Sequence, residues 1–241
     1  MPANLDNLRV VLVSPRNPLN IGAAARAMSN FGCLHLRLVN PYKVAFREAR
    51  SAVGASGVLK AAKEYESLGD AIADCSLVVG TTAVRHRELQ HQVRRLEAGG
   101  RLVRSKLASH RVGLLFGTEK TGLSNEDLSH CHWLIRIATR AEHISMNLGQ
   151  AVAVCLYELA RDGTIKPQPT KAKPATAAAL DRISDNLFAA LQISGYVNPK
   201  SAESAEIKLR RMVRRLNPSN EDAEMLLGML RQMLWKLHYQ P

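Results

Sequence analysis

Val112-Gly-Leu-Leu-Phe-Gly-Thr-Glu-Lys-Thr-Gly-Leu-Ser-Asn125 is the stretch whose reading decides the fold. A short apolar run, Val112 to Phe116, breaks abruptly into Gly117-Thr118-Glu119, and a second glycine stands at Gly122. Such a run reads as a buried strand ending in a glycine turn. That places bare backbone at the carboxyl edge of a sheet, where open α/β folds bind ligands. The stretch is not a phosphate loop. A Walker loop needs Lys and Ser/Thr directly after the second glycine, and Leu123 follows Gly122.

Working outward, four more runs read as strands: Arg9–Val13, Leu34–Val39, Ser76–Gly80 and Trp133–Ile137. Helical spacing is expected over 20–30, 45–62, 67–75, 88–99 and 147–161, with Gly32 as a stop after the first. Alternation of strands and helices implies an α/β fold, a mostly parallel sheet with helices on both faces. Residues 164–174 then carry three prolines and three lysines with almost nothing to bury. They read as an extended linker. Beyond it, 177–193, 202–216 and 220–239 look helical, the last with Pro218 at its boundary. The expected organisation is a domain over 1–163, a linker over 164–176 and a small helical, basic extension over 177–241.

Composition narrows the function. The chain has 241 residues and a net charge of +12, which favours a polyanionic partner. Two clusters concentrate the excess. One runs from Arg85 through Arg87, Arg94, Arg95, Arg101, Arg104 and Lys106 to Arg111. The other holds Lys208, Arg210, Arg211, Arg214 and Arg215. Phosphates reward such clusters by counterion release. Aromatics are only 5% of residues, which argues against base stacking as the main mode. No apolar stretch approaches the ~18 residues a membrane span needs. Cys33, Cys75, Cys131 and Cys155 form no CxxC pair and read as reduced thiols of a cytoplasmic protein. His130-Cys131-His132 lacks the second ligand pair a zinc site requires, so no metal is expected.

Three loops are expected at one sheet edge: Gly80-Thr-Thr-Ala83, Gly117-Thr-Glu119, and Ile137 onward to Asn147. They offer backbone groups, small hydroxyls and apolar atoms, but no Ser-His-Asp set and no carboxylate pair. That suits an adenine-like cofactor better than hydrolysis. Asn17-Pro-Leu-Asn-Ile-Gly-Ala-Ala-Ala-Arg26 opens the first helix, with Asn20 able to cap it. Arg26, set among small residues, is a candidate to meet a phosphate or carboxylate.

Asn20-Ile-Gly-Ala-Ala-Ala-Arg26, Phe116 to Asn125, and Ser145-Met-Asn-Leu-Gly-Gln-Ala-Val152 resemble, in order, the three motifs of the SPOUT RNA ribose methyltransferases. Within that superfamily the chain most resembles the TrmJ type. The resemblance implies a trefoil knot, a homodimer with active sites at the subunit interface, and S-adenosylmethionine as cofactor. It implies 2′-O-methylation of tRNA cytidine or uridine at nucleotide 32. The alternatives are an rRNA methyltransferase of the same fold and a non-catalytic knotted RNA-binding protein. Arg26, Glu119, Ser145 and Asn147 become the catalytic candidates. Glu119 is placed either to orient Arg26 or to shape its own loop. Thr81, Thr82, Ala83, Gly117, Ile137, Ile144, Ser145 and Met146 become the cofactor candidates. Asn20, Arg26, Arg85, Arg210, Arg211, Arg214 and Arg215 become the RNA candidates. Replacing Arg210, Arg211, Arg214 and Arg215 together is expected to weaken tRNA binding and leave cofactor affinity unchanged. The family pattern departs at Ala138, where Pro is usual, at Met146, where Leu is usual, and at Gly149, where Ser is common.

Overall fold

The computed structural model describes residues 5–51, 57–83, 90–161 and 173–238. Seven strands form one sheet: β1 (Leu8–Val13), β2 (His35–Val39), β3 (Lys63–Tyr65), β4 (Leu77–Thr81), β5 (Val93–Arg95), β6 (Val112–Phe116) and β7 (Trp133–Arg136). Their order is β3-β2-β1-β6-β4-β7-β5, and every pairing is parallel. A parallel sheet is covered on both faces, so its inner strands read as continuous apolar runs. β1 and β6 are buried at every position. Their side chains alternate between two cores, as the pleat requires. Leu8, Val10, Leu12, Leu114 and Phe116 face one, while Val11, Val13 and Leu115 face the other.

Helices cover both faces. α1 (Pro18–Asn30), α2 (Lys43–Ser51), α3 (Gly57–Lys60), α5 (Leu96–Leu107) and α7 (Leu148–Ala160) supply the first core. α4 (Leu68–Ile72) and α6 (Asn125–Ser129) supply the second. The helix expected over 45–62 is α2 and α3, with 52–56 outside the described residues. The cap of α1 is Asn17, whose side chain accepts from Leu19 N, with Pro18 at the first helical position. Asn20 lies inside the first turn and is not the cap. Gly32, at φ 70°, ends this helix as expected.

β3 and β5 were not expected, and the helix foreseen over 88–99 begins only at Leu96. Both strands are three residues long and lie at the two edges of the sheet. Edge strands are kept short and charged. Lys63-Glu-Tyr65 and Val93-Arg-Arg95 therefore carry no apolar run to betray them. The four cysteines are free and buried.

The extension is α8 (Ala177–Ile193), α9 (Ala202–Leu216) and α10 (Asn220–His238) around its own small core of Leu180, Ile183, Val213, Leu227 and Leu230. Most of the expected linker, 164–172 of 164–176, lies outside the described residues. The remainder is held in place. Lys173 O accepts from Asn220 N at 2.7 Å, and Ala175 N donates to Pro218 O at 3.1 Å. The extension docks on the sheet domain: Ala177 N donates to Cys75 O at 2.7 Å, and the Ala177 side chain joins the second core.

Candidate active site

The loops after β4, β6 and β7 meet at the carboxyl edge of the sheet. They enclose a cleft of about 420 Å³, within the range of small-ligand sites. All eight cofactor candidates, Thr81, Thr82, Ala83, Gly117, Ile137, Ile144, Ser145 and Met146, line it. Leu128 of α6 and Leu148 and Ala151 of α7 add apolar floor. The loops are tied to one another. Thr81 Oγ1 donates to Leu115 O at 2.9 Å, Thr82 N donates to Ile135 O at 2.9 Å, and Thr139 Oγ1 donates to Ile144 O at 3.2 Å. The loop after β6 closes on itself through Thr118 N to Gly122 O and Gly122 N to Thr118 O.

That closure explains Gly117. A Cβ on it would stand 2.0 Å from the carbonyl carbon of Gly122 and 2.1 Å from Leu123 N. The bare backbone accommodates the loop's own return strand before any ligand. Gly149 has a related role. A Cβ there would be 2.6 Å from Ala23 Cβ, so its absence lets α7 lie against α1 at the site.

Glu119 does not pair with Arg26. Its carboxylate accepts from Arg16 N at 3.2 Å, Asn17 N at 3.0 Å and Asn20 Nδ2 at 3.2 Å, pinning the loop before α1 to the loop after β6. Partial burial pushes this carboxyl up, but the hydrogen bonds from its own backbone, Asn17, Asn20 and Arg16 outweigh it and hold it below the usual range. The chain continues inward. Asn147 Nδ2 donates to Asn20 Oδ1 at 2.7 Å, while Asn147 Oδ1 caps α7 by accepting from Gly149 N and Gln150 N. Glu119, Asn20 and Asn147 thus form one polar line joining the three motifs. Ser145 is exposed at the cleft.

Arg26 is exposed on α1 and, among the described residues, its side chain makes no hydrogen bond or ion pair. It does not line the cleft of its own chain. Arg85 lies outside the described residues. Lys120, too early in the loop to serve as a Walker lysine, lines the cleft. Its signal in the sequence was its place inside the second motif.

Three of the four candidate arginines of the extension are bonded within the protein. Arg214 is 0% exposed and donates to Asp181 Oδ1 at 2.6 Å. Arg210 binds Glu126 and Glu206, and Arg211 donates to Gln90 Oε1 and Asn125 O. Lys208 and Arg215 remain exposed. The first basic cluster is dispersed as well: Arg104 is buried against Glu158, and Arg111 reaches Asp74. Periodicity places a cation on a helix but does not say what acid waits opposite.

The model of the SpoU rRNA Methylase family matches residues 7–157, and the chain belongs to this family of knotted methyltransferases. The tRNA (cytidine/uridine-2′-O-)-methyltransferase TrmJ of Klebsiella pneumoniae is 36% identical, with 94% of this chain and 96% of the relative aligned. The crystal structure of TrmJ from Z. mobilis superposes with a TM-score of 0.81 at 30% identity, covering 93% of this chain and 98% of that one. The methyltransferase AviRb of Streptomyces viridochromogenes, solved with its cofactor AdoMet, shares the fold at a TM-score of 0.52 and 23% identity, covering 66% of this chain and 59% of that one. The methyl donor of the family is S-adenosylmethionine. Among the described residues, no helix is long and apolar enough to cross a membrane.

Proposed function

We propose that this protein transfers a methyl group from S-adenosylmethionine to a ribose 2′-hydroxyl of tRNA, at cytidine or uridine 32 of the anticodon loop. It acts as a cytoplasmic homodimer. One observation carries the reading. Three loops, two of them carrying family motifs, converge on a cofactor-sized cleft, while Arg26, on the α1 motif that Asn20 ties to both of them, is exposed and its side chain unpartnered among the described residues. The similarity to TrmJ proteins runs through the extension as well as the sheet domain, which favours tRNA over rRNA.

The cleft suits the cofactor. Its walls mix apolar atoms from Ile135, Ile137, Met146 and Leu148 with hydroxyls and backbone groups from Thr82, Thr118 and Ser145. When bound, the cofactor supplies an already activated methyl, so the protein need only align the acceptor and ease its loss of a proton. Alignment alone contributes several kcal/mol, up to ~7–11. A guanidinium keeps its proton in proteins, so Arg26 is assigned to hold the neighbouring phosphate and to stabilise the developing oxyanion. Ser145 positions the hydroxyl. Asn147, committed to Asn20 and to α7, and Glu119, committed to the α1 loop, hold the frame.

The dimer reading is supported by where Arg26 stands. Leu19 is 79% exposed on α1, nothing lies within 4 Å of a Cβ built on Gly22, and Tyr157 of α7 is 58% exposed. A second copy packed on this face would share Arg26 between subunits. Arg26→Ala is expected to lose at least ~100-fold in turnover, the scale of removing one oxyanion donor, while retaining cofactor affinity and fold. Arg26→Lys is expected to be nearly as poor, because lysine lacks the planar fork. Near-normal turnover in Arg26→Ala removes this residue from the reaction.

A further inference from the structure

We propose that α9 braces the cofactor cleft: Arg210 and Arg211 are positioning residues that hold α6 and the segment at Gln90 in place, so the extension sets cofactor affinity without touching the cofactor. The inference rests on the cleft being the cofactor site.

α6 is the weak part of the wall. It has five residues, begins directly after the loop Gly117–Leu123, and contributes Leu128 to the cleft. A helix this short does not persist on its own propensity, because nucleation costs more than one turn returns. Its first turn is held by a capping box, Ser124 with Asp127. Its outer side is held by α9. Arg210, with a side chain only 11% exposed, binds Glu126 and donates to Ser129 Oγ at 3.2 Å. Arg211 donates to Asn125 O at 3.3 Å, and its other arm donates to Gln90 Oε1 at 3.1 Å. Gln90 stands shortly ahead of the edge strand β5. Two adjacent side chains therefore clamp α6, which follows one cleft loop and lends Leu128 to the cleft, and tie it to Gln90.

The brace is anchored at its far end. Arg214, one turn along α9, is fully buried on Asp181 of α8. α8 in turn is bonded to the sheet domain through Ala177 N to Cys75 O and Ala178 N to Ala73 O. A pair broken with one charge left behind is costly when buried. This arrangement differs from the expectation that these arginines serve RNA and are silent toward the cofactor.

Titration of S-adenosylhomocysteine into the full-length protein, without RNA, tests this. Arg210→Glu is expected to bind ~5–10-fold more weakly than wild type, toward the low end of coupling between sites. The swap Arg210→Glu with Glu126→Arg is expected to recover most of the loss. Arg211→Met, at a more open position, is expected to lose ~3-fold and keeps the test available if Arg210→Glu does not fold. Asp222→Ala, which removes the carboxylate accepting from Ser219 Oγ and Ser219 N at the start of α10, is expected to lower Tm without moving the ligand Kd. That separates bracing from general destabilisation. Unchanged affinity in Arg210→Glu or in Arg211→Met overturns the proposal. Ile137→Trp, which fills the cleft, checks its foundation. Undiminished binding there means the cofactor sits elsewhere, whatever α9 does.

Discussion

Gly117 carries the sharpest residue-scale consequence. A reading of the motif alone makes it a space for ligand, and a larger side chain there a selective block on binding. The geometry says otherwise. A Cβ meets the backbone of Gly122 and Leu123 at 2.0–2.1 Å, and backbone cannot step aside as a flexible side chain can. Gly117→Ala is expected to cost about 3 kcal/mol or more, at the upper end for overpacking. In a domain of this size that lowers Tm by roughly 6–12 °C. Thermal unfolding without cofactor checks it, and an unchanged Tm would mean the loop opens freely. Glu119 teaches the same lesson. The family resemblance set Glu119 either to orient Arg26 or to shape its own loop, and only the fold shows that two backbone amides and Asn20 use it.

At the scale of elements, ion pairs link secondary structures more than they decorate them. Arg37 on β2 grips Asp74 with both arms, at 2.6 and 2.8 Å, and Arg111 adds a third bond at 3.2 Å. The bond to Arg37 is the largest influence on this carboxyl and, against partial burial, holds it at about 2, below its ordinary 3.8. A depressed folded pKa means the stabilisation is complete above the unfolded value and is lost as pH falls through the folded one. Wild type should therefore exceed Asp74→Asn in stability at pH 5 by about 1 kcal/mol, discounted for partial exposure. The gap should close between about pH 4 and 2. Urea melts at several pH values measure it, and a gap that persists at about pH 2 refutes the assignment. At the foot of α6, burial pushes His130 and His132 down to about 3, and Arg214 adds to the effect. Both stay neutral in the fold, so this seam is no switch near neutral pH.

For the whole molecule, the docked extension changes which cations can meet RNA. With Arg210, Arg211 and Arg214 engaged in the protein, the exposed Lys208 and Arg215 on α9 are the ones presented to reach phosphates. Lys208→Glu with Arg215→Glu is expected to weaken tRNA binding and to flatten the log–log salt slope by about 0.7–0.9 for each phosphate no longer neutralised. Mobility shifts over a salt series read this out. An unchanged slope would take these two α9 cations out of the RNA contact.

Much of this protein was decided by the chain itself. Inner strands, the three-helix extension and the three motifs are local patterns: an apolar run, a 3.6-residue period, a glycine at a strand end. Each is written in neighbouring residues, so each was legible before the fold. The edge strands β3 and β5 were not, because an edge is defined by where a strand lies and not by what it contains. The fate of the basic residues was not legible either. Whether an arginine faces solvent, phosphate or a buried carboxylate depends on a partner far along the chain: Glu126 lies 84 residues from Arg210, and Asp181 lies 33 from Arg214. Electrostatic pairing acts through space. Only the tertiary structure brings those charges together, and it sets Arg210 and Arg211 against α6.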